Sequence, residues 1–241
     1  PPVKTVDGKP LSATSPVMTD PVDAQIRVMD LFAGPGGLGE GFATFELPSG
    51  QRPFRIIASV EKDPAACRTL RLRSFYRHLM QSGDRDALTA YHAYVRGDRE
   101  SPVDSDSPVA RTAWQQASEE VLEHTLGESD TGPVLQKAID RAGVSVKTPL
   151  VLIGGPPCQA YSTVGRARNA GTVGYQPERD SRHFLYRVYL DLLRDYQPVI
   201  FVMENVKGML SSRIGGRPLF PRILEDLASP ATVNGQDRRQ I

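Results

Sequence analysis

The chain has 241 residues, 39% hydrophobic and 24% charged, with a formal net charge of +1. It is long enough to bury one sizeable core with an appendage, its near-neutral balance does not announce a polyanion binder, and no apolar run approaches the roughly 20 residues that a membrane span needs. Two cysteines, Cys67 and Cys158, cannot build a disulfide framework and four scattered His lack metal-ligand spacing, so a reducing, cytosolic setting with no metal is expected.

Residues 1–25 are rich in Pro, Ser, Thr and Asp without periodicity, and are expected to be disordered or loosely attached. The first residue is Pro1 and not Met, so a processed or truncated chain is expected. A first strand is predicted from Gln25 to Leu31, followed by the glycine-rich turn Gly34-Pro35-Gly36-Gly37. Leu38, Phe42 and Phe45 then recur at helical spacing. A second strand, Phe54 to Val60, ends at Glu61, and Pro64 marks the start of a helix through Met80 that places Cys67 in or near the core.

Residues 82–147 carry the weakest signals. Nine acidic and two basic residues fall between Asp98 and Asp130, and helical spacing recurs around Trp114 to Leu126 and Val134 to Ala142. A helical insertion or lid with a solvated acidic face is expected. The apolar run Pro149 to Ile153 is a central strand that leads into Gly154-Gly155-Pro156-Pro157-Cys158-Gln159. A polar stretch from Tyr161 to Tyr175 follows. Leu185, Val188, Leu192 and Tyr196 mark an amphipathic helix stopped by Pro198, and Val199 to Met203 is a last strand ending at Glu204. Ile223, Leu224 and Leu227 suggest a final helix, and residues 229–241 have no pattern.

Strands alternating with helices imply an α/β fold, a doubly wound and mostly parallel sheet. Ligands of such sheets sit at the carboxyl ends of the strands. The glycine turn, Glu61, Cys158 and Glu204 all fall there. Gly34-Pro35-Gly36-Gly37 lets backbone approach a ligand, and Glu61 stands where an acid takes a ribose diol, or else where it favours a helix N-terminus. Together they suggest a nucleoside-bearing cofactor. Cys158 could act as a thiolate nucleophile; its alternative is a buried Cys in an ordinary Gly-Pro turn. Glu204 follows an apolar run, and burial would raise its pKa and keep a proton available near neutrality.

Asp30-Leu31-Phe32-Ala33-Gly34-Pro35-Gly36-Gly37, Gly155-Pro156-Pro157-Cys158-Gln159-Ala160-Tyr161-Ser162 and Glu204-Asn205-Val206-Lys207-Gly208, in this order, resemble the DNA (cytosine-5) methyltransferase family. Asp180-Ser181-Arg182-His183-Phe184-Leu185-Tyr186 resembles the motif between its Cys and Glu motifs. The resemblance is clear over residues 27–60 and 149–227. It implies a Rossmann-like catalytic domain over residues 26–241, with the insertion at 82–147, and S-adenosylmethionine (AdoMet) as methyl donor. Phe32, Gly34 and Gly37 would line the cofactor, Glu61 would hold its ribose, and Pro157 and Leu185 would pack nearby. Cys158 would attack carbon 6 of a cytosine flipped out of DNA, with Glu204 at ring nitrogen 3. Ser162, Arg166, Arg168, Arg179 and Arg182 would contact the nucleic acid; an ordinary solvated loop is the alternative. A cytoplasmic or nucleoid-associated bacterial protein, restriction-linked or regulatory, is implied.

The chain departs from that pattern in two places. The Gln-x-Arg-x-Arg motif, the target-recognition domain and the late Asn-rich motif are not found, so a second chain or a further C-terminal domain is expected to supply target recognition. The acid of the third strand is not clear; Asp98, in Gly97-Asp98, is the nearest candidate. Two other readings stay open: a cytosine-5 methyltransferase acting on RNA, and the catalytic half of a split enzyme.

Overall fold

In the computed structural model, residues 25–104, 106–144, 148–156, 185–204, 210, 213–214 and 217–228 are described. Five strands form one all-parallel sheet: β1 (Ile26–Leu31), β2 (Phe54–Glu61), β3 (Val121–Glu123), β4 (Leu150–Gly154) and β5 (Ile200–Met203), in the order β3-β2-β1-β4-β5. The chain builds outward from β1 on one side, then crosses back to lay β4 on the other. The reversal between β1 and β4 is the place where a ligand crevice opens in such sheets.

Parallel strands must be covered on both faces, and the residue alternation of β1 shows how this happens. Val28 packs with Ile56, Val151 and Ile153 under helix α1 (Gly37–Thr44), whose Leu38, Phe42 and Ala43 cover that face. Met29 and Leu31 point the other way, into a cluster with Leu152, with Leu135 and Ile139 of α5 (Thr131–Arg141), and with Tyr186, Tyr189 and Leu193 of α6 (Leu185–Tyr196). Each fully buried Leu or Met there contributes about 1.5–3 kcal/mol relative to exposure. A last helix, α7 (Leu219–Ala228), adds Ile223 to this cluster and follows the short antiparallel pair β6 (Arg213–Ile214) and β7 (Arg217–Pro218).

Helix α2 (Pro64–Ser82) starts where Asp63 accepts the Ala66 N–H at 2.8 Å with Pro64 in the first turn, and stops at Gly83 in the left-handed region. It packs with α3 (Arg85–Arg96) and α4 (Pro108–Glu120) around Phe75, Leu79, Ala113 and Ala117. Arg77 of α2 pairs with Glu40 of α1 and with the buried Glu120 of α4, tying three helices together.

Two expectations change here. The stretch 82–147 is helical in large part, but Val121–Glu123 is a sheet strand whose residues pair with Ser59, Val60 and Glu61. The helix expected to run to Leu126 ends at Glu120. The apolar run Val199 to Met203, expected to be buried, is the edge of the sheet. Val199 and Ile200 are 64% and 58% exposed, and among the described residues β5 has a neighbouring strand, β4, on one side only.

Candidate active site

The carboxyl ends of the strands gather the expected residues by backbone geometry. After β1 the chain turns at Phe32, whose φ of 57° is left-handed although it is not glycine. Such backbone costs about 1–3 kcal/mol and is kept where the surroundings hold it. Gly34 follows with φ 55°, a conformation that glycine adopts freely. The turn is fastened to β2 twice: the Ala33 N–H donates to the Val60 carbonyl at 3.0 Å, and the Gly34 N–H donates to the Glu61 carboxylate at 2.9 Å. The other Glu61 oxygen accepts the N–H groups of Lys62 and Asp63 at 2.8 and 2.9 Å. Glu61 is thus the anion that organises the turn, with acceptor capacity remaining for a hydroxyl pair.

Phe32, Val60, Glu61, Lys62, His124, Thr125, Leu126 and Leu185 line one pocket. Its walls are apolar on the Phe32, Val60, Leu126 and Leu185 sides, and its polar groups sit at the ends of β2 and β3. A Cβ built on Gly34 or Gly37 meets nothing within 4 Å, so the turn faces open space on the side where a ligand chain would run.

Phe32, Glu61 and Leu185, named from sequence, therefore share one pocket. Asp98 does not. Gly97 is the left-handed C-cap of α3, and exposed Asp98 pairs with Arg96; it stands at no strand end. The end of the third strand is occupied by Glu123 and His124, and the His124 N–H donates to the Glu61 carbonyl at 2.9 Å. The His124 ring is fixed by the Thr131 hydroxyl at 2.9 Å. Lys62, His124, Thr125 and Leu126 are pocket residues that sequence reading missed. For His124, Thr125 and Leu126 the available signal was the two-residue apolar pair Val121-Leu122 ahead of them; for Lys62 it was its place directly after Glu61.

Glu204 emerges from β5 beside the end of β4. Its N–H donates to the Gly154 carbonyl at 3.1 Å. The residue is exposed and follows a strand whose Ile200 and Phe201 are exposed, so the burial expected around its carboxyl is not found among the described residues. The buried carboxyl at this edge is Asp30. Burial, reinforced by Glu204, Glu120 and Glu61, pushes it up to about 7 against the pull of the Gly39 N–H.

The two cysteines now separate. Cys67 is buried, its thiol sits 3.2 Å from the Glu61 carbonyl, and desolvation together with Glu123 and Glu61 pushes it up to about 11. It is a core thiol. Cys158, Pro157, Ser162, Arg166, Arg168, Arg179 and Arg182 lie outside the described residues. No helix among the described residues is long and apolar enough to cross a membrane.

Comparison with known proteins bears on the same residues. The profile of the C-5 cytosine-specific DNA methylase family matches residues 107–230. The chain is 35% identical over 201 residues to the type II methyltransferase M.Bpa9945I of Bacillus paralicheniformis, which covers 78% of this chain and 42% of the relative. It is 27% identical over 212 residues to the type II methyltransferase M.AquIA of a Picosynechococcus species, covering 88% of this chain and 60% of that protein. A 62-residue stretch is 45% identical to M.FnuDI of Fusobacterium nucleatum, covering 26% of this chain and 16% of the relative. The chain thus spans less than two thirds of the length of each. The profile match over more than half of the chain and the 35% identity over 78% of it show that the chain belongs to the C-5 cytosine-specific DNA methylase family.

Proposed function

We propose that this chain is the AdoMet-binding, catalytic part of an enzyme that methylates carbon 5 of cytosine in DNA. The observation that carries the reading is the pocket at the carboxyl edge, where Phe32, Glu61 and Leu185 meet next to an open glycine turn. That lining fits an adenosine, and the family description as a DNA methylase favours DNA over RNA. Phe32 and Leu185 hold the adenine between apolar walls, Glu61 accepts the ribose hydroxyls, and Gly34 and Gly37 leave room for the remainder. Bound AdoMet supplies an activated methyl group.

The protein's own chemistry is addition and elimination. The Cys158 thiolate adds to carbon 6 of the cytosine, breaking the 5,6 double bond and placing negative charge on the ring. Glu204 stabilises that charge by a hydrogen bond or a proton at ring nitrogen 3. Carbon 5 becomes nucleophilic. After methylation, a base removes the carbon 5 proton, the 5,6 double bond re-forms, and Cys158 leaves as the thiolate. The target base must leave the stack for this attack, and Arg166, Arg168 and Arg182, with Ser162, contact the strand around it. Sequence recognition is assigned to residues outside this chain, in a further domain or a second chain.

A covalent trap tests the reading. A duplex carrying 5-fluorocytosine in mixed contexts is incubated with AdoMet and the protein, and Cys158 is examined by mass spectrometry. Fluorine cannot leave as a proton, so a competent enzyme stalls as the adduct. The adduct should be absent from Cys158→Ser, with AdoMet binding retained. An adduct on Cys67, or full activity in Cys158→Ser, would refute the assignment.

A further inference from the structure

The geometry points to Gly155 as a positioning residue that sets the place of Glu204; the inference rests on the methyl-transfer reading above. β4 and β5 lie side by side, with Gly154 opposite Met203. Beyond that pair, Gly155 and Glu204 are the next residues of each chain. The Glu204 N–H is tied to the Gly154 carbonyl at 3.1 Å. A Cβ built on Gly155 would lie 2.6 Å from the Glu204 carbonyl oxygen and 2.9 Å from the Glu204 Cγ. Glu204 is therefore seated directly on the bare backbone of Gly155, by main chain and side chain at once. Among the described residues, this seat is the contact that sets the direction in which the side chain leaves the sheet.

The two glycines do different work. Gly154 has φ 138°, and its Cβ would fall 1.9 Å from the Leu31 carbonyl oxygen. Any side chain there collides with the backbone of the central strand, so Gly154 belongs to the fold. Gly155 is not among the positive-φ residues, so an alanine can adopt its backbone conformation. Among the described residues, the three atoms that a side chain there would meet first all belong to Glu204. Gly155 also opens the segment that reaches Cys158 three residues later, so the contact links the start of the cysteine loop to the acid.

Real Cβ contacts stay above 3.0 Å, so Gly155→Ala must change the separation of Gly155 and the Glu204 backbone by at least about 0.4 Å. A misplacement of 1 Å in a reacting geometry costs on the order of a hundredfold. We expect turnover to fall about 5- to 30-fold, with AdoMet affinity unchanged within about threefold, since Gly155 does not line the pocket of Phe32, Glu61 and Leu185.

The experiment is a double-mutant cycle in the full-length gene product. Methyl transfer from radiolabelled AdoMet to unmethylated bacterial genomic DNA is followed for wild type, Gly155→Ala, Glu204→Gln and the double variant, with Gly41→Ala as a control. A Cβ on Gly41, in α1, meets nothing within 4 Å. If Gly155 acts through Glu204, Gly155→Ala lowers kcat in the wild-type background and adds nothing to Glu204→Gln. Equal turnover of Gly155→Ala and wild type overturns the inference. So does a Gly155→Ala protein that unfolds, or that loses AdoMet together with turnover, because Gly155 would then serve the fold or the cofactor. Additive losses in the cycle overturn it as well. A wild-type protein that, with any second chain that supplies target recognition present, transfers no methyl group and forms no adduct on Cys158 refutes the methyl-transfer reading itself, and the inference with it.

Discussion

Asp30→Asn isolates the one strongly perturbed carboxyl at the site. Asp30 lies in the central strand, is 1% exposed, and accepts the N–H of Gly39 in the first turn of α1. Its Oδ2 has no hydrogen-bond partner among the described residues. Burial lifts its pKa from an ordinary 3.8 to about 7. The folded protein therefore holds this proton more tightly than the unfolded chain does. The stabilisation is complete below about pH 4, is lost as pH rises from 4 to 7, and stays lost above. The gap between 3.8 and about 7, at about 1.4 kcal/mol per pH unit, amounts to about 4 kcal/mol. Asparagine is neutral throughout and keeps an acceptor for Gly39. Urea unfolding of both proteins at intervals from pH 4 to 8 reads the effect as a difference of two curves, in which the other titrating groups cancel to first order. Wild type should lose about 4 kcal/mol more than the variant across that range. A constant offset would report only the new buried amide. Parallel curves, differing in slope by less than about 1 kcal/mol overall, would refute the placement of a buried, ionisable Asp30.

Three further outcomes follow from specific contacts. Glu61→Ala should raise the AdoMet Kd by about tenfold or more and also lower Tm, because three backbone N–H groups lose a charged acceptor; calorimetric titration and a melt read both, and unchanged AdoMet binding would remove Glu61 from the site. Arg77→Met leaves the buried Glu120, already pushed upward in pKa by burial, without its main counter-charge, and should cost about 3–5 kcal/mol in urea unfolding. Gly39→Ala places a Cβ 2.5 Å from Asp30 Oδ2 and should destabilise by about 1–3 kcal/mol; Asp30→Ala in the same chain should recover part of that loss, and failure to recover it would mean the strain lies elsewhere.

Much of the architecture was readable because the strands that carry chemistry are apolar runs that stop at a chemically distinctive residue. β2 ends at Glu61, β4 ends in the glycine pair, and Pro64 and Pro198 punctuate α2 and α6. β3 was not readable for a physical reason. A three-residue edge strand shows no alternation, and its place is set by pairing with β2, information held 60 residues away. α3 was missed because its buried face consists of Ala87 and Ala90, which give no hydrophobic period. Gly97-Asp98 imitated a strand-end motif because a left-handed helix cap also demands glycine. The exposure of Glu204 was missed because apolar composition does not say whether a strand is central or at an edge.

The order of the sheet also has a consequence for the timing of synthesis. β1 and β4 are neighbours, yet Leu31 and its partner Gly154 are separated by most of the described chain. At about 5–20 residues per second, a ribosome needs roughly 6 to 24 s to make the intervening sequence. For that interval one edge of the central strand has no neighbour, and the crevice between the ends of β1 and β4 has only one bank. Each bank is made separately, and they meet only after β4 has been synthesised.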